Sequence, residues 1–350
     1  MSRFKLQYQV AELHLRQVFT ISRGSKATVK NVMVQLQSKG ITGYGEAAPN
    51  TRYGEDAAKV IAYVEALPDN FFDEIATAEE LVKKLDRQEH RDNVNPVQSA
   101  RVAVEMAWLD WWGKAQDKPL LKLWETPTNI GPVTSFTIGL DELDVMQQKV
   151  EQATAYPVLK VKLGTDRDRQ IINALREVTD KPLRVDANEG WKTLDEAKAA
   201  IDFLAEQNIE MVEQPMPADQ LKDMVALKAY SPIPLCADES FEGQENLEEI
   251  ARAFDIINIK LMKTGSIVKA RQIISRAGET RLKVMIGCMI ESSLANTAGA
   301  ILSLWADYAD LDGHLLIADD PYQGLQLDEK KRIVLRDRPG LGVVRRKASR

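Results

Sequence analysis

Five charged residues recur at near-constant spacing through the middle of the chain: Lys162 in KVKLG, Asp186 in RVDANEG, Glu213 in MVEQP, Asp238 in LCADES and Lys260 in NIKLMKTG. The steps between them are 24, 27, 25 and 22 residues. Each stands at the C-terminal end of a short apolar run. Three carboxylates brought together repel one another unless a cation neutralises them, and an all-oxygen donor set suits Mg²⁺ or another hard divalent ion. Asp186, Glu213 and Asp238 are therefore the expected metal ligands. Taken singly, each acid reads more readily as a helix cap or a surface charge; the recurrence, with lysines at the same level, selects the metal reading.

Lys160 and Lys162 are i and i+2, so both project from one face of a strand. Two ammonium groups side by side near a divalent cation disfavour each other's charge and lower the pKa, and a lysine so perturbed accepts a proton at neutral pH. Lys162, nearer the rim, is the expected base, and Lys160 its electrostatic tuner. Lys260 follows its apolar run directly and should face Lys162 across the site, whereas Lys263 should fall beyond the run in a loop. Two lysines flanking a metal describe two-base chemistry. One removes a proton from a carbon, and the other returns a proton to the opposite face.

Charged groups at successive strand ends are what a (β/α)₈ barrel produces, because its site is built on the C-terminal rim. Each step has the length of one strand, one helix and two loops. Counting apolar runs from Val133 to Leu140 onward gives eight strands, the eighth near Leu311 to Ile317, with helical stretches such as DRDRQIINALREV and NLEEIARAF between them. Before the barrel, residues from about 4 to 45 alternate as an antiparallel meander punctuated at Gly40 and Gly43. Two polar loops follow its runs, FTISRGSK and EAAPNTRYGED. Asn95-Pro96 then opens a long helix closed by Gly113 and Pro119, whose stripe through Trp108 and Trp111 reads as a core face between domains. The expected fold is α/β: a (β/α)₈-type TIM barrel over residues 121–320, an α+β capping domain over 1–120, and a tail, 321–350, returning to the cap with two short strand-like runs and loose last residues.

The 350 residues carry 46 basic and 52 acidic side chains, a net charge of −6, without a dense basic block; nucleic acid and membranes are not expected partners. The start has no apolar run of signal-peptide length, so a cytoplasmic location is expected. Cys236 and Cys288 read as free thiols, and His14, His90 and His314 form no zinc-type spacing.

The motifs KVKLG, RVDANEGW, VEQP, ADES and NIKLMKTG, with AVEMAWLDWWGKAQDKPLLKLW and PGLGV, together resemble the muconate-lactonizing-enzyme subgroup of the enolase superfamily over nearly the whole chain. Within it, DLDG and the following DPY resemble the dipeptide epimerases, which include the L-Ala-D/L-Glu epimerases. The resemblance implies an enolase-type barrel, Mg²⁺ as cofactor and a small dipeptide as substrate. It implies 1,1-proton transfer by Lys162 and Lys260 through an enediolate at the α-carbon of the C-terminal residue. Asp310 and Asp312 would hold the substrate ammonium, Arg23 its side-chain carboxylate, and Glu239 and Asn188 would support the lysine and Asp186. Thr137, Cys288, Met289 and Ile290 are further candidates for the pocket wall, the last three equally for core packing. The two N-terminal loops would close over the barrel mouth and set specificity, with Arg52 a second cation and Glu55 and Asp56 favouring the opposite charge. The same machinery also serves other L-Ala-L-Xaa epimerases, o-succinylbenzoate synthases, N-succinylamino acid racemases and muconate cycloisomerases. A non-catalytic binding relative and a homo-oligomer are the remaining possibilities.

Overall fold

The computed structural model describes residues 4–92 and 96–347. Three antiparallel strands open it, β1 (Lys5–Ile21), β2 (Gly24–Ser38) and β3 (Ile41–Ala47), paired in that order. The inner half of β2 is buried through Val32, Met33, Val34 and Leu36, while its first seven residues stay largely exposed. The β1–β2 hairpin therefore projects beyond the sheet it belongs to. FTISRGSK, expected as a loop, is mostly the tip of this hairpin: Phe19 pairs with Lys26 and Ile21 with Gly24. Only Ser22 and Arg23 form the turn.

Three helices follow, α1 (Ala57–Glu65), α2 (Ala78–Asp92) and α3 (Gln98–Ala115), then a single turn α4 (Leu120–Leu123). α3 is buried almost all round, Trp108 completely, and it runs through Gly113 to Ala115. Asn95 lies outside the described residues. β3 lies directly on α3. A Cβ on Gly43 would sit 2.0 Å from the Ala107 carbonyl oxygen, and one on Gly45 1.9 Å from that of Ala103. Gly40 occupies the expected turn, but Gly43 belongs to this close contact.

Next, β4 (Ile130–Val133) pairs with the C-terminal tail, and the run expected as the first barrel strand is split: only β5 (Phe136–Ile138) joins the barrel. The barrel continues with β6 (Leu159–Lys162), β7 (Leu183–Asp186), β8 (Ile209–Glu213), β9 (Leu235–Ala237), β10 (Ile256–Lys260), β11 (Lys283–Gly287) and β12 (Tyr308–Asp310). All eight are parallel neighbours in sequence order, and a parallel bridge from Thr134 to Ala309 brings the two ends together. The eighth strand is thus earlier than expected. Leu311 to Ile317 leave the sheet as a turn containing a 3₁₀ segment at Gly313–Leu315. The outer helices are α5 (Leu143–Gln152), α6 (Asp168–Arg176), α7 (Leu194–Leu204), α8 (Leu221–Tyr230), α9 (Leu247–Ala253), the short α10 (Leu261–Thr264), α11 (Ile267–Ala277) and α12 (Ser293–Ser303).

Among the described residues the tail forms four short strands rather than two: β13 (Tyr322–Gln323), β14 (Gln326–Leu327), β15 (Arg332–Val334) and β16 (Val344–Arg345). It returns to α3, where the Leu341 N–H donates to Asp110 Oδ1 at 2.9 Å. Residues 348–350, expected to be loose, lie outside the described residues. Among the described residues no helix is long and apolar enough to cross a membrane.

Candidate active site

Alternation along β6 points Lys160 and Lys162 to one side and Leu159 and Val161 to the other. Register does the rest: Lys162 lies beside Asp186 and Asp186 beside Glu213 on three adjacent strands. Asp186, Glu213 and Asp238 are all buried, and one oxygen from each lies within 4.8 Å of the others. Three hard oxygens so close fit a hard divalent cation.

Each lysine grips this triad. Lys162 Nζ is 2.6 Å from Asp186 Oδ2, and Lys260 Nζ is 2.8 Å from Asp238 Oδ2. Lys160 Nζ donates to Glu213 Oε2 and to Asp310 Oδ2, both at 2.7 Å. Burial raises the carboxyl pKa of Asp186, but Lys162 and Lys160 pull it below the usual carboxylate range. Asp238 is also held well below the usual carboxylate range, its burial cost outweighed by Lys260 and Lys263. Glu213 goes the other way, pushed up to about 7 by burial and by the charge of Asp186. The lowering expected for paired lysines is reversed at Lys160 in the protein alone: burial lowers it, yet Asp310, Glu213 and Asp186 hold it well above the ordinary lysine value. Lys260 behaves likewise. At contact distance the carboxylates outweigh a neighbouring ammonium.

Lys263 corrects another expectation. It is fully buried in α10, with Nζ donating to Asp238 Oδ1 at 2.7 Å, to the Phe241 carbonyl at 2.8 Å and to the Asp238 carbonyl. It fixes one oxygen of Asp238 while Lys260 holds the other.

The barrel mouth opens into a cavity of about 900 Å³ under the N-terminal loops. Thr137, Cys288, Met289 and Ile290 line it, as do Asp310 and Asp312. Asp310 accepts Ser135 Oγ–H at 2.5 Å, and Asp312 accepts the Thr137 N–H at 2.7 Å. Burial, then the charge of Asp310, pushes the Asp312 carboxyl up to about 6. Asn188 supports Asp186 through its backbone N–H, 3.0 Å from Oδ1, and its side chain reaches Glu239 at 3.4 Å. Arg23 stands 2.7 Å from Glu239 and 3.2 Å from Glu189, and Arg52 is 2.8 Å from Glu189. Glu55 and Asp56 line the cavity as well, and each is also engaged at a helix start. Glu55 accepts the Gln98 and Ser99 N–H groups at the start of α3, and Asp56 caps α1 through the Lys59 N–H.

Sequence reasoning missed Glu189, Lys263 and Tyr53. Tyr53 lines the cavity from the second loop, its phenol pushed up by burial and by Asp238. Nothing in a single sequence marks a loop tyrosine, or an acid beside a glycine, as pointing inward.

A parallel eight-stranded barrel under an antiparallel cap, with an acid triad gripped by lysines at its rim, defines an enolase-type enzyme. Residues 7–124 match the family "Mandelate racemase / muconate lactonizing enzyme, N-terminal domain", and residues 144–349 match "Enolase C-terminal domain-like". The chain belongs to the mandelate racemase / muconate lactonizing enzyme family of the enolase superfamily. It is 38% identical over 344 residues to the L-Ala-D/L-Glu epimerase of Bacteroides thetaiotaomicron, covering 98% of this chain and 88% of that one. It is similar in structure to a substrate-liganded L-Ala-D/L-Glu epimerase from Bacillus subtilis, with a TM-score of 0.90, 27% identity and coverage of 98% and 99%. It is also similar to a dipeptide epimerase from Enterococcus faecalis complexed with Mg and L-Leu-L-Tyr, with a TM-score of 0.87, 30% identity and coverage of 98% and 99%. It is an enzyme of the racemase and epimerase kind.

Proposed function

We propose that this enzyme is a Mg²⁺-dependent dipeptide epimerase that inverts the α-carbon of the C-terminal residue, with L-Ala-L-Glu and L-Ala-D-Glu as the leading pair. The observation that carries this reading is the placement of its two bases. Lys162 on β6 and Lys260 on β10 lie four strands apart in an eight-stranded sheet, and each is bonded to a different member of the acid triad. Lysines on opposite sides of one carbon can remove a proton from one face and return another to the other, which is inversion.

Asp186, Glu213 and Asp238 would hold the cation, which when bound supplies positive charge where negative charge develops as the α-proton leaves. Lys160 keeps its ammonium among Glu213, Asp310 and Asp186, so it tunes charge rather than moving a proton. Asp310 and Asp312 would take the substrate ammonium, with Ser135 and the Thr137 N–H fixing the two carboxylates. Asn188 and Glu239 steady the wall between Asp186 and Arg23. Arg23, with five N–H donors and only part of them committed, favours an acidic second side chain. A second reading, dipeptides with an uncharged second residue, is favoured by the pairing of Arg23 with Glu189 and Glu239.

Mass-spectrometric deuterium uptake from D₂O into a mixed set of L-Ala-L-Xaa dipeptides, with Mg²⁺, tests this. Uptake confined to the glutamate member supports both chemistry and substrate; uptake elsewhere keeps the chemistry and reassigns the side chain. No uptake in any member removes the dipeptide reading and points to succinylated substrates.

A further inference from the structure

We infer that Glu189 is a positioning residue: it ties both cavity-covering loops to the barrel and sets where the guanidinium groups of Arg23 and Arg52 stand. Its carboxylate is 9% exposed as a residue and lies beneath the two loops. Oε1 accepts Arg52 Nη2 at 2.8 Å, and Oε2 accepts Nη2 at 2.9 Å and Nε at 3.2 Å, a forked grip. Oε2 also accepts Arg23 Nη1 at 3.2 Å, and Oε1 accepts the Ala218 N–H at 3.0 Å from the segment after β8. Arg23 comes from the tip of the β1–β2 hairpin and Arg52 from the 3₁₀ turn Thr51–Tyr53. One barrel carboxylate thus meets both loops.

The backbone beneath it is built for this. Asn188 and Glu189 have φ of 46° and 65°, consecutive left-handed residues without glycine's freedom. Gly190 then packs on Gly164, where an added Cβ would stand 2.2 Å from the Gly164 Cα. A turn held this firmly aims the Glu189 side chain up at the loops. Arg23 and Arg52 are 36% and 41% exposed, at the cavity edge, so neither loop lifts without breaking an ion pair to the same carboxylate. Arg23 has a second anchor at Glu239, whereas all of Arg52's side-chain ion pairing is to Glu189 among the described residues.

Hydrogen–deuterium exchange of the free protein tests the tie without any substrate, and kinetics on L-Ala-L-Glu, which rest on the epimerase reading, test its consequence. Glu189→Gln should speed exchange in peptides covering residues 46–56 about tenfold and in those covering 19–26 by less, since Glu239 still holds Arg23. Arg52→Gln, which leaves the strained turn untouched, should speed only the 46–56 peptides. Each variant should raise KM about tenfold with kcat within about twofold, and the double variant should be no worse than Glu189→Gln, because the ion pair that Arg52→Gln removes is already lost in Glu189→Gln. Unchanged loop exchange in Glu189→Gln overturns the proposal. So does faster exchange throughout the barrel, or additive losses in the double variant. An inactive wild-type protein with the expected exchange pattern would fail the epimerase reading alone.

Discussion

Glu291 follows β11 and is buried, its Oε1 accepting the Met289 N–H at 2.6 Å. Burial pushes its carboxyl up to about 8, from 4.5 for an exposed glutamate. Between those values the folded chain holds a proton that the unfolded chain has released. Its stability contribution is therefore complete below about pH 4.5 and is lost as pH rises toward 8, at about 1.4 kcal/mol per unit. Glu291→Gln should flatten that slope, stabilising the protein more at pH 8 than at pH 5 in urea titrations; an equal effect at both would show the carboxyl to be ionised throughout. Asp312, pushed up to about 6, makes a kinetic prediction. In its proposed role it would hold an ammonium only when ionised, so kcat/KM should fall on the acid side with an apparent pKa near 6, and Asp312→Asn should remove that limb and lower kcat/KM about 100-fold. A limb unchanged in the variant would assign it elsewhere. At this scale the sequence was legible where residue type and strand-end position coincide, as at Lys162, Asp186, Glu213, Asp238 and Lys260. It was opaque where a side chain folds back: Lys263 and Glu189 differ from solvated charges only in where α10 and the Asn188–Glu189 turn direct them.

Among the elements, the join between cap and barrel depends on acids of the cap that receive the helix starts of the barrel. Glu46 on β3 accepts the Ser292 N–H at 2.9 Å and the Ala295 N–H at 3.3 Å, capping α12, and Glu105 on α3 accepts the Val268 N–H at 2.8 Å, capping α11. Glu46→Ala would leave those buried donors unpaired and should cost about 2–4 kcal/mol in denaturant unfolding. A loss below about 0.5 kcal/mol would mean that α12 does not need the cap. Gly45→Ala should be worse, since the methyl would overlap the α3 backbone. The pattern of strands and helices was readable because apolar periodicity survives in helices such as α6 and α11. Besides the split first barrel strand and the tail, two elements misled it. The eighth strand is only three residues long, and the apolar Leu311, Leu315, Leu316 and Ile317 belong to the turn after it. On the β2 side of the hairpin tip, Gly24, Ser25 and Lys26 are exposed and polar, so no alternation marks that half as strand.

For the whole molecule, the regular 22- to 27-residue steps carried the barrel, because each step is one repeating unit that returns the chain to the same rim. The cavity was less legible, since it forms only where the β1–β2 hairpin and the second loop reach across to the barrel, a contact between residues more than a hundred apart. A bound cation should stabilise the assembled fold: Mg²⁺ at about 100 times its Kd adds about 2.7 kcal/mol, a clear rise in Tm. Asp238→Asn should abolish the rise, and a rise retained in full would remove Asp238 from the ligands. The central claim, two bases on opposite sides of one carbon, is tested most directly by α-proton exchange in D₂O with L-Ala-L-Glu and L-Ala-D-Glu offered separately to Lys162→Ala and Lys260→Ala. The expected result is that neither variant epimerises and each exchanges one stereoisomer only, the two variants choosing opposite isomers. Exchange of both isomers by either variant, or epimerisation at the wild-type rate, would contradict it.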